Sequence, residues 1–275
     1  LGYLDLNDVI PFDTQKIDFV LITHNHIDHI GLLPLLVNQG YTGPIYITKP
    51  GYGLIDIPIN EAWKVHCKGK LNPSYERSDV ESLFNQISGV SFNQKVHPKK
   101  NVEITFFKNG HLVGASVIEV KFTYDGMDDI RLLFTGDYNY KNLFFDVEKI
   151  PIQNRKNPYS LVVCESTYGN MDSTDERCKP ILDTKNGMKV IIPTFAMGRT
   201  QEIAYLIKCM QNKELIPESI GIWQGGTSAR EITNRFKYSD LGFKPNMRDF
   251  LPKNFHFVLS KERHQVCEKL LDSPN

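Results

Sequence analysis

Residues 23–31 read Thr-His-Asn-His-Ile-Asp-His-Ile-Gly and follow directly on the apolar run Phe19, Val20, Leu21 and Ile22. Four potential metal ligands, His24, His26, Asp28 and His29, thus fall within six residues at the C-terminal end of an expected buried strand. Neutral imidazoles suit zinc, and a carboxylate beside them suits a second divalent ion. His24 and His26 are two apart, so in an extended segment both rings point the same way. Asp28 and His29 come where a helix is expected to begin, which turns these two groups back towards the same space. A solvated turn is the bland reading of such a cluster, but its place at a strand end, followed by glycine, favours a metal site.

Two later positions repeat the pattern of a polar group at a strand end. His111 lies in Gly110-His111-Leu112-Val113-Gly114-Ala115, between expected strands over 102–107 and 116–122. Glycine at such a point allows close approach to the backbone. Asp137 lies in the turn Gly136-Asp137-Tyr138, after an expected strand over 131–135. His66, His97, His256 and His264 have no ligand spacing and are read as surface or structural residues.

The ordered set His24, His26, Asp28, His29, His111 and Asp137 resembles the metallo-β-lactamase superfamily. The resemblance implies an α/β fold, the αββα sandwich, with two zinc ions. It assigns His24, His26 and His111 to one ion, Asp28 and His29 to the second, and Asp137 to both. Two ions about 3.5–4 Å apart can supply hydroxide near neutral pH and hold the oxygens of an in-line displacement. This set alone leaves the substrate open, since thioesterases, lactonases, β-lactamases and nucleases of the family share it.

The second half of the chain narrows the choice. An apolar run over 160–164, read as a buried strand, ends in Glu165-Ser166-Thr167-Tyr168-Gly169. A strand is expected over 188–192, then a turn with Gly198-Arg199, then a helix carrying Ile203, Leu206, Ile207 and Met210 on one stripe. These segments look like the β-CASP branch, whose members process nucleic acids. Glu165 matches its first extra acidic motif, and Gly198-Arg199 the start of its inserted Rossmann-like domain. The RNA-cleaving group, which includes the endonuclease subunit of the mRNA 3′-end cleavage complex, is the nearest in pattern. A glutamate rather than an aspartate at 165 favours RNA over DNA.

The resemblance therefore implies a zinc-dependent phosphodiesterase acting on RNA, endonucleolytic, 5′-exonucleolytic or both. Asp28, Asp137 and Glu165 are its expected catalytic residues, Glu165 by orienting a histidine acid expected beyond Asn275, and Gly198 and Arg199 its expected substrate contacts. An ion pair is the plain alternative for Arg199, and packing rather than base stacking the plain reading of Tyr168. A DNA nuclease of the same branch, a small-molecule metallo-hydrolase and a non-catalytic scaffold subunit are the competing functions. A metallo-β-lactamase domain is expected over 1–175 and a partial β-CASP domain over 176–275. The Asp-Cys-Gly-like turn that opens family members and two late histidine motifs are not found, so the chain is read as a fragment cut at both ends.

Composition constrains partners only loosely. The 275 residues are 41% hydrophobic, with 32 basic and 32 acidic side chains, so no overall basic field draws nucleic acid. Lys95, Lys99, Lys100, Arg199, Arg230 and Arg235 are the candidate phosphate contacts, with solvated surface charge as their bland reading. Five cysteines without paired spacing (Cys67, Cys164, Cys178, Cys209 and Cys267) suggest a reducing compartment, cytoplasmic or, in a eukaryote, nuclear. No apolar run approaches the roughly twenty residues that span a bilayer. RNA, a second copy of the chain or an RNA-processing complex are the expected partners, with no membrane. Capping boxes are read at 78–81 and 228–231, strands at 45–47, 220–223 and 255–259, and a hairpin turn at 124–129.

Overall fold

The computed structural model describes residues 9–68, 73–150, 158–167, 169, 189–245 and 247–272. The chain divides into two compact units, residues 1–165 and 166–275. The expected domain change at 175/176, like Tyr168, Cys178 and Met188, lies outside the described residues.

The first unit is built on two sheets. Strands β1 (Val20–Leu21), β2 (Ile45–Thr48) and β3 (Ile87–Val90) pair in parallel in the order β1-β2-β3. Parallel pairing demands crossover connections. Helices α1 (Ile27–Ile30) and α2 (Leu33–Asn38) lead from β1 to β2, and α3 (Lys49–Tyr52), α4 (Asp56–Cys67) and α5 (Arg77–Gln86) from β2 to β3. Side chains of β2 alternate between faces: Ile45 and Ile47 pack under Leu35, Leu36, Ile59 and Leu83 of the helices, whereas Tyr46 faces the second sheet.

That second sheet has the order β4-β5-β6-β7-β8, from β4 (Lys95–Lys99), β5 (Val102–Lys108), β6 (Ser116–Phe122), β7 (Ile130–Phe134) and β8 (Leu161–Val163). It is antiparallel except for the β7–β8 pair, which is parallel. Val102, Ile104 and Phe106 of β5 and Ile118 and Val120 of β6 are buried against Leu21, Tyr46 and Val90 of the first sheet. The layers run helix, sheet, sheet; the second helix layer expected of an αββα sandwich is not seen among the described residues of this unit. Outward-facing Glu119 holds Arg131 at 2.8 Å and accepts from the Tyr159 hydroxyl at 2.7 Å.

The second unit contains a βαβ element. Strand β9 (Ile222–Gln224) and strand β10 (Phe255–Phe257) pair in parallel, with the helix Thr227–Tyr238 between them in sequence. The helix Arg199–Asn212 precedes this element, and its Ile207 and Met210 pack with Ile216 against Ile203, Ile220 and Ile222. A buried polar chain joins the elements: Gln201 Nε2 donates to Thr233 Oγ1 at 2.9 Å, and Thr233 Oγ1 lies 3.1 Å from Gln224 Oε1.

Several sequence expectations are corrected. Among the described residues the run 160–164 forms the exposed strand Leu161–Val163 rather than a buried one, with β7 as its only described neighbour. Lys189–Ile192 forms no strand; no partner strand pairs with it among the described residues, and Ile191 is exposed. The capping box of α5 is Glu76 with Asp79 rather than 78–81, and the helix stops at Gln86 because Ile87 is taken up by β3. The helix expected to be capped at 228–231 starts at Thr227 after Gly226, whose positive φ of 94° turns the chain without a side-chain cap. Strands 220–223 and 255–259 are shifted or shortened to Ile222–Gln224 and Phe255–Phe257.

Candidate metal centre

His24, His26, His111 and Asp137 each sit on a loop after the C-terminal end of a strand, while Asp28 and His29 lie in α1. The loop after β1 carries His24 and His26, with α1 beginning directly after His26. Thr23 ties this loop to the other sheet, its carbonyl accepting from the Ser116 amide at 2.9 Å. The loop after β5 carries His111, and the loop after β7 carries Asp137.

These loops bring His24, His26, His111 and Asp137 together, with one ligand atom from each lying within 4.8 Å of all the others. His26 Nδ1 is 3.0 Å from His111 Nε2, and His111 Nε2 is 3.5 Å from Asp137 Oδ2. The His24 ring stands 4.9 Å from that of His26 and 4.8 Å from that of His111. His29 approaches from α1, its Nε2 3.4 Å from the other carboxylate oxygen, Asp137 Oδ1. Asp28 lies outside the four-residue group but beside His29; its side chain is 72% exposed, and its Oδ2 lies 3.5 Å from His29 Nε2.

The chemistry of the group fits a cation. His24 is buried, its Nδ1 is 3.1 Å from Thr23 Oγ1, and its Nε2 is a buried atom without a hydrogen-bond partner, 3.8 Å from Asp137 Oδ2. A buried polar atom left unpaired is costly, and a metal ion would satisfy it. Burial, and then the neighbouring rings of His29, His111 and His26, push the His24 pKa down to about 2, so this imidazole keeps its lone pair for a ligand. Three imidazoles and a carboxylate make a donor set suited to zinc.

Two glycines let the loops close. Gly114 has φ +82°, and a Cβ there would run into the backbone of Gly51. Gly136 has φ +55°, and a Cβ would lie 2.7 Å from Thr23 Cβ. Both conformations and both close approaches favour glycine.

Glu165 follows β8 and reaches the same loop: its Oε1 accepts from the Tyr138 amide at 3.4 Å, and its own amide lies 3.4 Å from Thr135 Oγ1. In the second unit, Gly198 takes φ 85° ahead of its helix, and its amide donates to Gln201 Oε1 at 2.8 Å. The half-exposed Arg199 guanidinium pairs with Glu202 of the same helix at 2.5 Å, which makes the ion pair local. Lys95 pairs with Glu103 at 3.1 Å and Lys99 with Asp18 at 2.5 Å. The histidines without ligand spacing have structural neighbours: His66 stacks on Tyr75, His256 stacks on Trp223, and His264 lies 3.1 Å from Glu268. Cys67, Cys164, Cys209 and Cys267 are free thiols.

Supporting residues around the site were not legible in the linear sequence. Asn25, between two ligands, donates from Nδ2 to the Gly51 carbonyl at 2.7 Å and is buried. Asn109, directly before Gly110-His111, is buried too and hydrogen-bonds to both the His111 and Asp137 loops. An asparagine beside glycine reads as a turn residue, and only its buried position here signals more.

A family model described as "Metallo-beta-lactamase superfamily domain" matches residues 5–142. The chain is 29% identical to Transcription termination factor FttA of Methanosarcina mazei, in an alignment covering 99% of this chain and 44% of that protein. It is 26% identical to Endoribonuclease ysh1 of Schizosaccharomyces pombe, over 90% of this chain and 32% of that protein. It is 30% identical to Ribonuclease TTHA0252 of Thermus thermophilus, over 71% and 44%. The chain thus spans under half the length of these relatives. No helix among the described residues is long and apolar enough to cross a membrane. By the family match and the converging histidines and aspartate, the chain belongs to the metallo-β-lactamase superfamily.

Proposed function

We propose that this chain carries the metal centre of a zinc-dependent ribonuclease of the β-CASP type. The observation that carries the reading is the division of the Asp137 carboxylate: Oδ2 faces His24 and His111, and Oδ1 faces His29. A carboxylate placed between two imidazole sets suits a two-ion site. His24, His26 and His111 would hold one ion, His29 and Asp28 the other, and Asp137 both. Bound there, such ions supply Lewis-acid charge and a hydroxide nucleophile near neutral pH for phosphodiester hydrolysis.

The remaining roles belong to the chain itself. Thr23 holds the His24 ring from its Nδ1 side, which fixes the orientation of Nε2. Glu165 accepts from the amide of Tyr138, the residue after Asp137, and would orient a proton-carrying partner at the leaving group. Arg199 exposes part of its guanidinium at a helix start, where it would hold an RNA phosphate. Relatives named as a transcription termination factor, an endoribonuclease and a ribonuclease support RNA as the substrate class. Assembly into an RNA-processing complex or a homodimer, in cytoplasm or nucleus, belongs to the same proposal.

The test uses the full-length protein, labelled single-stranded RNA and DNA of one sequence, and zinc with or without a chelator. Zinc-dependent cleavage of RNA, abolished by Asp137→Asn, is the expected result. Cleavage that survives both chelation and Asp137→Asn sinks the reading, and preference for DNA moves it to the DNA branch.

A further inference from the structure

We infer that Asn109 is a positioning residue that locks the His111 and Asp137 loops in register, so that both present their ligand atoms to one point. The inference rests on the metal-site reading above and goes beyond it to a residue that is not itself a ligand. His111 follows β5 and Asp137 follows β7, and both strands pair with β6, which lies between them. Two strand spacings, roughly 9.5 Å, therefore separate the strand ends, and no backbone ladder joins them. Asn109 spans this gap with its side chain.

All the hydrogen-bonding capacity of its amide is directed at the two loops. Nδ2 donates to the Asp137 carbonyl at 2.6 Å and to the Thr135 carbonyl at 3.2 Å. Oδ1 accepts from the His111 amide at 2.9 Å and from the Asn139 amide at 3.1 Å. The first and third of these bonds end on the backbones of two candidate ligands. A backbone bond adds to them, the Gly110 amide donating to the Asn139 carbonyl at 2.8 Å. Only a primary amide offers two donors and a two-lone-pair acceptor on so short a stem. Aspartate would keep the acceptor role and lose both donations, setting a carboxylate against two carbonyl oxygens. Because Asn109 is buried, water cannot replace the lost bonds.

Outer partners of metal ligands set affinity by about 10–100-fold. The test is cobalt and zinc titration of the whole 275-residue chain and of its Asn109→Asp variant, read by equilibrium dialysis and by the visible d–d spectrum of the cobalt form. Asn109→Ser, smaller and uncharged, takes its place if the aspartate variant does not fold. Truncations of Leu83, to Val and to Ala, supply controls of lowered stability in the helix layer, outside the site. Metal binding weakened about tenfold or more, with an altered cobalt spectrum, and unchanged in the Leu83 controls, is the expected result. Parent-like affinity and spectrum in the Asn109 variant overturn the inference while leaving the metal site standing. Equal weakening in the Leu83 controls overturns it as well, since global stability then accounts for the effect. A parent chain that binds neither ion overturns the metal reading itself.

Discussion

His26 Nδ1 and His111 Nε2 lie 3.0 Å apart although 85 positions separate them in the chain. One imidazole sits before the first helix, and the other on a loop of the opposite sheet. Their nitrogens meet because both sheets end at the same edge, where Thr23 and Ser116 join the two layers. At that distance the two ring nitrogens share a hydrogen bond when one is protonated, and both would turn lone pairs to a cation placed between them.

His26→Ala removes one of these nitrogens from a partly buried position, so metal binding should suffer and folding should not. The expected loss of zinc affinity exceeds about 100-fold, beyond what an outer partner costs, and is checked by equilibrium dialysis. Zinc at roughly 100 times its dissociation constant should raise the unfolding free energy of the parent by about 2.7 kcal/mol, by mass action. Chelation should remove that increment, and His26→Ala should never show it; urea titrations with and without chelator decide.

The burial of His24 gives the metal-free protein a definite pH response. Its pKa falls from 6.5 in the unfolded chain to about 2 in the folded one. Between these values the unfolded state binds the extra proton, so stability is retained above pH 6.5 and declines as the pH falls below it. Replacing His24 with Gln should flatten the decline. Urea midpoints of the chelated protein at pH 7.5 and pH 5 measure it, and an unchanged slope in His24→Gln would assign the response to other groups.

Gly114 stands where the chain turns out of the His111 loop at φ +82°, with the Gly51 backbone against it. Gly114→Ala should cost about 1–3 kcal/mol from the backbone conformation alone, plus the displacement of Gly51. Because Asn25 is hydrogen-bonded to the Gly51 carbonyl, the strain should pass to the His24–His26 loop and weaken zinc binding too. Chemical denaturation and dialysis report the two effects separately.

In the second unit, Thr233→Val keeps the shape of a buried side chain and deletes its hydroxyl. Gln201 Nε2 and Gln224 Oε1 each lose a partner inside the fold. The expected cost is about 1–3 kcal/mol, read as a lower urea midpoint. Zinc affinity should stay at the parent value, because the ligand group found among the described residues, His24, His26, His111 and Asp137, lies in the first unit.

Spacing marked the cluster of His24, His26, Asp28 and His29 in the primary structure. Two histidines two apart after an apolar run marked the first cluster; His111 and Asp137, each weak alone, were joined to it by the family resemblance, and His24, His26, His111 and Asp137 do meet in the fold. Strand ends were legible for the same reason: β6 and the helix from Arg199 follow periodicities of two and of 3.6, which are local properties of the chain. Tertiary structure alone decided how far each group enters the site. Asp28 and His29 are neighbours in sequence and in space, yet the Asp28 side chain is 72% exposed while His29 Nε2 reaches Asp137, because consecutive helix positions lie about 100° apart around the axis. It also decided that Leu161–Val163 is exposed, with β7 its only neighbour among the described residues, since apolar content does not say how many neighbours a strand has. Asn109 is the plainest case. Its amide acts on loops whose strands are separated by a third, and a through-space relation of that kind leaves no trace in residue order.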